Sequence, residues 1–383
     1  VISVLKYPYP YKAWLSISND PDNTNWATWN ELNEYIFQDL KLDWANSIFP
    51  FSFNQNLPDQ VNLFDYPDIA KQPIDTIHTW GDFVHAKQKG FCREDAKSAI
   101  ALLDKYAIKP LVWVDHSRFT GNLIHNSDWG AKPKQVDSSG LSYTVHEYTL
   151  DLIRKYGVRY IWDGKLTYTK GQDRPVKWKD ILEPYSIKGK FLYLLINFLD
   201  VITGKHLLKL DNQLLTQKKF PDGNMFYTFK RYGLWDRADI NGLAEVISVK
   251  NIDQLLKKTG AMVVYTHLGK RSASDSRDKH IPEPTKRCFL YIKKKIKSKE
   301  LLFSSVSKLL DYIVLRDGIT IQDNDTIVFN ADGIRYESLS VRDLNNFSFS
   351  FKNCSAKTEV LVNGQILEPR IELHPNGVST FHF

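Results

Sequence analysis

Over the first two-thirds of the chain, short apolar runs alternate with stretches of helical period, and many of the runs end in ionisable residues. Residues 13–18 (AWLSIS) predict a strand. The Asn23-Thr24-Asn25 cluster then opens a helix over 26–40, with apolar positions at Trp29, Leu32, Tyr35, Ile36 and Leu40. Further strands are predicted over 47–53, 75–78, 110–114, 158–162 and 261–265, and further helices over 93–106, 144–156, 251–258 and 301–314. Strand alternating with helix is the mark of βα units around a parallel sheet, and the fold class is α/β. The strand ends carry Asp20, Asp22, His78, His116, Asp163 and His267. In a (β/α) barrel the C-terminal strand ends converge on one face, where a site forms.

Two segments break this rhythm. Residues 165–247 hold charged loops and the apolar stretch 191–202, and read as an insertion or as irregular elements of the barrel. From residue 317 the period changes to two, with turn signals at Asn363-Gly364 and Asn376-Gly377. The expectation is a barrel over 1–316 followed by a small antiparallel β module over 317–383.

Composition adds little to this fold but narrows the chemistry. The 383 residues are 43% hydrophobic and 25% charged, which is globular. The stretch 191–202, interrupted by Asn197 and Asp200, is too short to span a bilayer and reads as a buried or interfacial segment. Three scattered cysteines, Cys92, Cys288 and Cys354, form neither a zinc spacing nor a disulfide framework. Compartment stays open between a bacterial cell envelope and the cytoplasm, and oligomeric state stays open too. Much of the net charge of +7 sits in 286–299 (KRCFLYIKKKIKSK). That run reads first as a solvated helix face, and otherwise as a peripheral contact with a membrane or an acidic glycan. It lacks the ordered aromatics of a nucleic-acid platform, so nucleic acid is not an expected partner.

The candidate chemistry begins at Asp20-Pro21-Asp22. Two carboxylates held this close need a cation or a shared proton between them. Pro21 restricts Asp20 to extended geometry, so both acids can face one cleft. One suits a divalent cation as a hard oxygen ligand; the other suits proton transfer from water. In His78-Thr79-Trp80-Gly81-Asp82, a helical turn would bring His78 and Asp82 to one metal, or Asp82 would orient a histidine from outside. In Asp115-His116, neighbours on a strand point opposite ways, and His116 is the one expected in the cleft. Asn122 is a candidate donor to a substrate oxygen. His267 leaves a β-branched strand for a glycine-containing loop and suits general acid–base work. Neither a phosphate loop nor a serine nucleophile elbow is present.

In this order, Ser18-Asn19-Asp20-Pro21-Asp22, His78-Thr79-x-x-Asp82 and Tyr265-Thr266-His267 resemble the motifs of the polysaccharide deacetylases, within the glycoside hydrolase/deacetylase superfamily. The second motif departs from the family, with Asp82 standing in place of its second histidine. The resemblance spans roughly residues 12–316. It implies a distorted (β/α) barrel and metal-assisted removal of N-acetyl or O-acetyl groups from a polysaccharide or glycoconjugate. Asp20 would be the catalytic base and His267 the general acid. Asp22, His78 and either Asp82 or His116 would hold a divalent metal, zinc being the best fit to imidazole plus carboxylate. Trp80, Asn122 and Asp163 would contact the carbohydrate. The rival readings are a glycosidase using paired carboxylates, such as Asp20 with Asp163 or Asp82, and a degenerate barrel that binds glycan without cleaving it.

Overall fold

The computed structural model describes residues 1–83, 91–114, 134–136, 142–144, 149–175, 180, 212–220, 223–233, 237–271, 279–322, 326–330, 339, 341–355 and 357–383. The fold is mixed α/β. After a short β1 (Ser3–Val4), the main strands are β2 (Ala13–Asn19), β3 (Asn46–Ile48), β4 (Ile74–His78), β5 (Val112–Val114), β8 (Tyr160–Trp162), β9 (Leu166–Thr167), β10 (Leu215–Lys219), β11 (Met225–Phe229), β12 (Arg231–Tyr232), β13 (Ala261–Thr266) and β14 (Leu301–Phe303). A small hairpin, β6 (Lys134–Val136) with β7 (Ser142–Thr144), interrupts the series.

Two sheets carry the site. One has the order β14-β2-β13-β12-β9 and is parallel throughout. The other has the order β10-β11-β8-β5-β4-β3 and is parallel except for the β10–β11 hairpin. Every residue of β2 and of β13 is buried, as expected of parallel strands covered on both faces. The crossovers are α1 (Trp26–Asn33), α2 (Arg93–Lys105), α3 (Leu150–Tyr156) and the helices Val249–Lys258 and Glu283–Lys297. Two apolar layers form between sheets and helices. Leu15, Ile17, Val264, Leu255 and Phe289 build one against the five-stranded sheet. Ile77, Trp113, Ile161, Ala99 and Ile153 build the other against the six-stranded sheet.

Several expected boundaries move. The helix expected over 301–314 is a strand followed by a helix. Leu301-Leu302-Phe303 pairs in parallel with β2, and the helix Val306–Asp317 starts after Ser305. A buried apolar triplet fits a strand or a helix equally by period, and the Ser304-Ser305 break is what separates them. The helix over 26–40 stops at Asn33 and continues as a π-helical stretch, Glu34–Asp39. The segment 165–247 contributes β9, β10, β11 and β12 to the two main sheets, so these described parts belong to the α/β body; the stretch 191–202 lies outside the described residues.

The C-terminal strands are β15 (Ile319–Gln322), β16 (Thr326–Phe329), β17 (Ser348–Lys352), β18 (Val360–Val362), β19 (Gln365–Leu367), β20 (Arg370–His374) and β21 (Val378–His382). They are not all antiparallel: β16 and β18 pair in parallel within the order β15-β16-β18-β19. The N-terminal β1 joins the other sheet through β17. Tyr312 of the preceding helix stacks on Phe349 at 5.0 Å, which joins the strands to the α/β body through a shared core. Asn363 and Gly364, with φ of 49° and 79°, make the tight β18–β19 turn that their dipeptide predicts.

The basic run lies on the helix Glu283–Lys297, where Lys286 pairs with Glu283 and Lys295 with Glu300. No helix among the described residues is long and apolar enough to cross a membrane.

Candidate metal and acid–base centre

Parallel register places the first pair. Ser18 lies opposite Tyr265 and Asn19 opposite Thr266, so Asp20 and His267 leave adjacent strands side by side. The strand ends are tied together: the Asp20 N–H donates to the Thr266 carbonyl (2.8 Å) and the Leu268 N–H to Asn19 Oδ1 (2.7 Å). His78 arrives from the other sheet, at the end of β4. Thr79, which follows it, has φ of 61°, an uncommon left-handed conformation for a β-branched residue. Strain of this kind persists where the surroundings hold it and is frequent at functional sites.

Asp20, Asp22 and His78 are all buried, and each offers a ligand atom within 4.8 Å of the others. Asp22 Oδ2 is the meeting point. His267 Nε2 lies 3.1 Å from it, His78 Nε2 3.6 Å and Lys270 Nζ 3.7 Å. Two carboxylates and an imidazole form a donor set that suits a divalent cation, with zinc among the candidates. The residues present therefore fit the metal that the sequence implies.

The tautomer of His267 follows from its partners. Its Nδ1 lies 2.8 Å from the Ala238 carbonyl, an acceptor only, so Nδ1 carries a proton. Nε2 then faces Asp22 with either a second proton or a lone pair. A lone pair against a carboxylate calls for a cation between them. The Tyr265 hydroxyl is 3.4 Å from the same Nε2. Burial, followed by the nearby Asp20 charge, pushes the Tyr265 phenol upward, so it stays a neutral donor.

Asp20 has a partner that sequence reasoning did not single out. Arg231, 0% exposed, takes both carboxylate oxygens: Nη1 bonds Oδ1, and Nη2 bonds Oδ2 at 3.0 Å. Its guanidinium sits 3.4 Å from the Trp162 ring centroid and 4.3 Å from that of Tyr265. Burial alone would raise the Asp20 carboxyl. The Arg231 charge, then His78 and His267, outweigh it and hold the group below the usual carboxylate value of 3.8. The sequence signal was faint: a lone arginine after the Met225–Phe229 strand, inside a segment without clear periodicity.

The remaining expected residues separate. Asp82 is not in the Asp20–Asp22–His78 group. Its Oδ2 accepts from Gln60 Nε2 (2.7 Å) and Asn54 Nδ2 (3.0 Å), while Gln60 Oε1 accepts the Asn23 N–H (3.0 Å). Asp82 thus braces the loop just after Asp22, and Asp20 is the second carboxylate at the centre. Trp80 is 0% exposed, donates to Thr149 Oγ1 at 3.1 Å and packs edge-on against Trp113. Trp80, expected to contact the carbohydrate, has its indole in the core. Asp163, just beyond β8, is ion-paired to Lys218 (3.1 Å) and Lys165 (3.3 Å). His116 and Asn122 lie outside the described residues.

Gly269 closes the Asp loop against the His267 loop. A Cβ there would lie 2.8 Å from Thr24 N and 2.9 Å from the Asp22 carbonyl oxygen. Both are backbone atoms that cannot swing aside. Gly269→Ala is therefore expected to destabilise the fold by about 1–3 kcal/mol, as overpacking does. It should also loosen Asp22, read as a lower melting temperature together with weaker cation binding in calorimetry.

Comparison with protein family models, with curated proteins and with solved structures gives no match to this chain.

Proposed function

We propose that this chain is a metal-dependent hydrolase that removes N-acetyl or O-acetyl groups from a polysaccharide or glycoconjugate. In this reading the two parallel sheets are parts of a distorted (β/α) barrel of the polysaccharide deacetylase kind. The observation that carries the proposal is the buried Asp20–Asp22–His78 group at parallel strand ends, with His267 Nε2 against it. A structural ion pair does not need two buried aspartates and two imidazoles around one carboxylate oxygen.

Asp22 and His78 would hold the cation, with Asp82 bracing the Asp22 loop through Gln60. When bound, the metal supplies Lewis-acid polarisation of the acyl carbonyl and a lowered pKa for water. Asp20 is ionised throughout the neutral range, because Arg231 favours its charged form, and it takes a proton from the attacking water. Arg231 fixes the direction of that carboxylate with two hydrogen bonds, and Trp162 and Tyr265 hold the guanidinium in place. His267 has its Nδ1 proton committed to Ala238, so Nε2 is the atom that delivers a proton to the leaving amine or alcohol. The Tyr265 hydroxyl donates toward that nitrogen once its proton has gone.

The test is metal content by mass spectrometry together with acetate release from acetylated chitooligosaccharides and acetylated xylan. Chelation should abolish release, and added zinc or cobalt should restore it. Metal-free protein that still releases acetate, or metal-loaded protein that releases none, sinks the reading. Reducing ends without acetate would point to glycoside cleavage instead. Asp20→Asn is expected to lower turnover by roughly 10²–10⁴-fold, the usual worth of a general base. In the same variant Asp22 and His78 remain, so the cation should still bind, though more weakly than in the parent.

A further inference from the structure

Beside the Asp–His centre lies a cavity of about 460 Å³, lined by Asn23, Asn25, Thr28, Gly269, Lys270 and Arg271 among others. It is built from the two loops that carry the centre: Asn23 follows Asp22, and Gly269-Lys270-Arg271 follow His267. We propose that this cavity seats an anionic oxygen group of the substrate, a carboxylate or a phosphate ester, with Lys270 and Arg271 setting that specificity. The word substrate rests on the hydrolase reading; the anion seat itself does not.

Charge and anchoring support the assignment. Lys270 lines the cavity while its ammonium stands 3.7 Å from Asp22 Oδ2, so one side chain borders both the cavity and the centre. Arg271 Nε donates to His280 Nδ1 at 2.8 Å, and His280 Nε2 in turn donates to the Leu268 carbonyl. That chain of bonds fixes the guanidinium at the cavity wall. The acidic residue in the lining, Glu31, is occupied elsewhere: its oxygens accept the backbone N–H groups of His280 and Ile281, each at 3.1 Å. The Asn25 side chain already caps the Thr28 N–H, so the argument does not rest on the start of α1.

The test compares three probes on one scaffold: N-acetylglucosamine, its 6-phosphate and its C6-carboxylate form. Calorimetry on the full chain is expected to show the anionic probes binding roughly tenfold more tightly than the neutral one, the worth of one charge-assisted hydrogen bond. The preference should shrink at high salt. It should vanish in Lys270→Met and in Arg271→Met, and survive in Lys270→Arg. The tighter of the two anionic probes names the group. Should Arg271→Met fail to fold, through its link to His280, the Lys270 pair of variants decides alone. Equal binding of all three probes, or a preference that both methionine variants retain, overturns the seat. Acetate released without any anionic preference sinks the seat and leaves the hydrolase. Lys270-dependent anion binding without acetate from any probe keeps the seat and sinks the hydrolase.

Discussion

Asp22→Ala should empty the centre of its cation and take acetate release to background, while the protein keeps its fold. The asymmetry follows from what surrounds Asp22 Oδ2. Three cationic or ligating nitrogens, from His267, His78 and Lys270, lie within 3.7 Å of it. Removing the carboxylate leaves two imidazoles and an ammonium with only Asp20, already held by Arg231, as a nearby anion, a poor site for a divalent ion. Loss of an outer-shell residue typically weakens metal binding by 10–100-fold, so loss of a direct ligand should exceed about a hundredfold. Folding has less at stake. The substitution separates Asp20 from a like charge and leaves the Arg231 pair intact. Calorimetric titration with zinc, beside a thermal melt of the same sample, checks both halves. Gln60→Ala gives the graded control. It removes the brace between Asp82 and the Asn23 N–H without touching a ligand, and should weaken the cation by roughly 10–100-fold. Unchanged zinc affinity in Asp22→Ala would remove the centre from consideration.

How far the chain announces this centre depends on the range of the signal. Asp20 and Asp22 are legible because they end a fully buried strand, and His267 because its strand is β-branched and closes on a glycine loop. Strand identity and chain order thus reach the parallel β2–β13 pair and the acids at its end. What they do not reach is which distant group meets which. Asp82 has the spacing of a ligand, yet its carboxylate turns to Asn54 and Gln60, partners supplied by the long connection after β3. Trp80 has the character of a sugar platform, yet its indole is fully buried and packs edge-on against Trp113. Arg231 leaves no periodic trace, because a strand as short as Arg231–Tyr232 shows none. In the 301–314 run, period alone does not separate a buried strand from the start of a buried helix.

The second large effect is on stability, and it lies with Arg231. Arg231→Met should destabilise the fold by about 3–5 kcal/mol at neutral pH, because it leaves the Asp20 carboxylate buried with its main counter-charge gone. The pH dependence identifies the cause. In the parent protein Asp20 sits below its ordinary value, so its contribution is complete above the ordinary carboxylate range and is lost as pH falls through the lower folded value. In the variant, burial acts with far less opposition and the folded carboxyl rises above its unfolded value. Its penalty is then greatest at neutral pH and fades as pH drops and the group takes up a proton. The gap between parent and variant, measured by urea unfolding, should therefore narrow from pH 7 toward the carboxylate range. Asp20→Asn in the Arg231→Met background separates the ion pair from packing. If the lone buried charge is the cause, the double variant recovers most of the loss. If the loss came instead from the guanidinium's contacts with Trp162 and Tyr265, the double variant would stay as unstable as Arg231→Met and the gap would not move with pH.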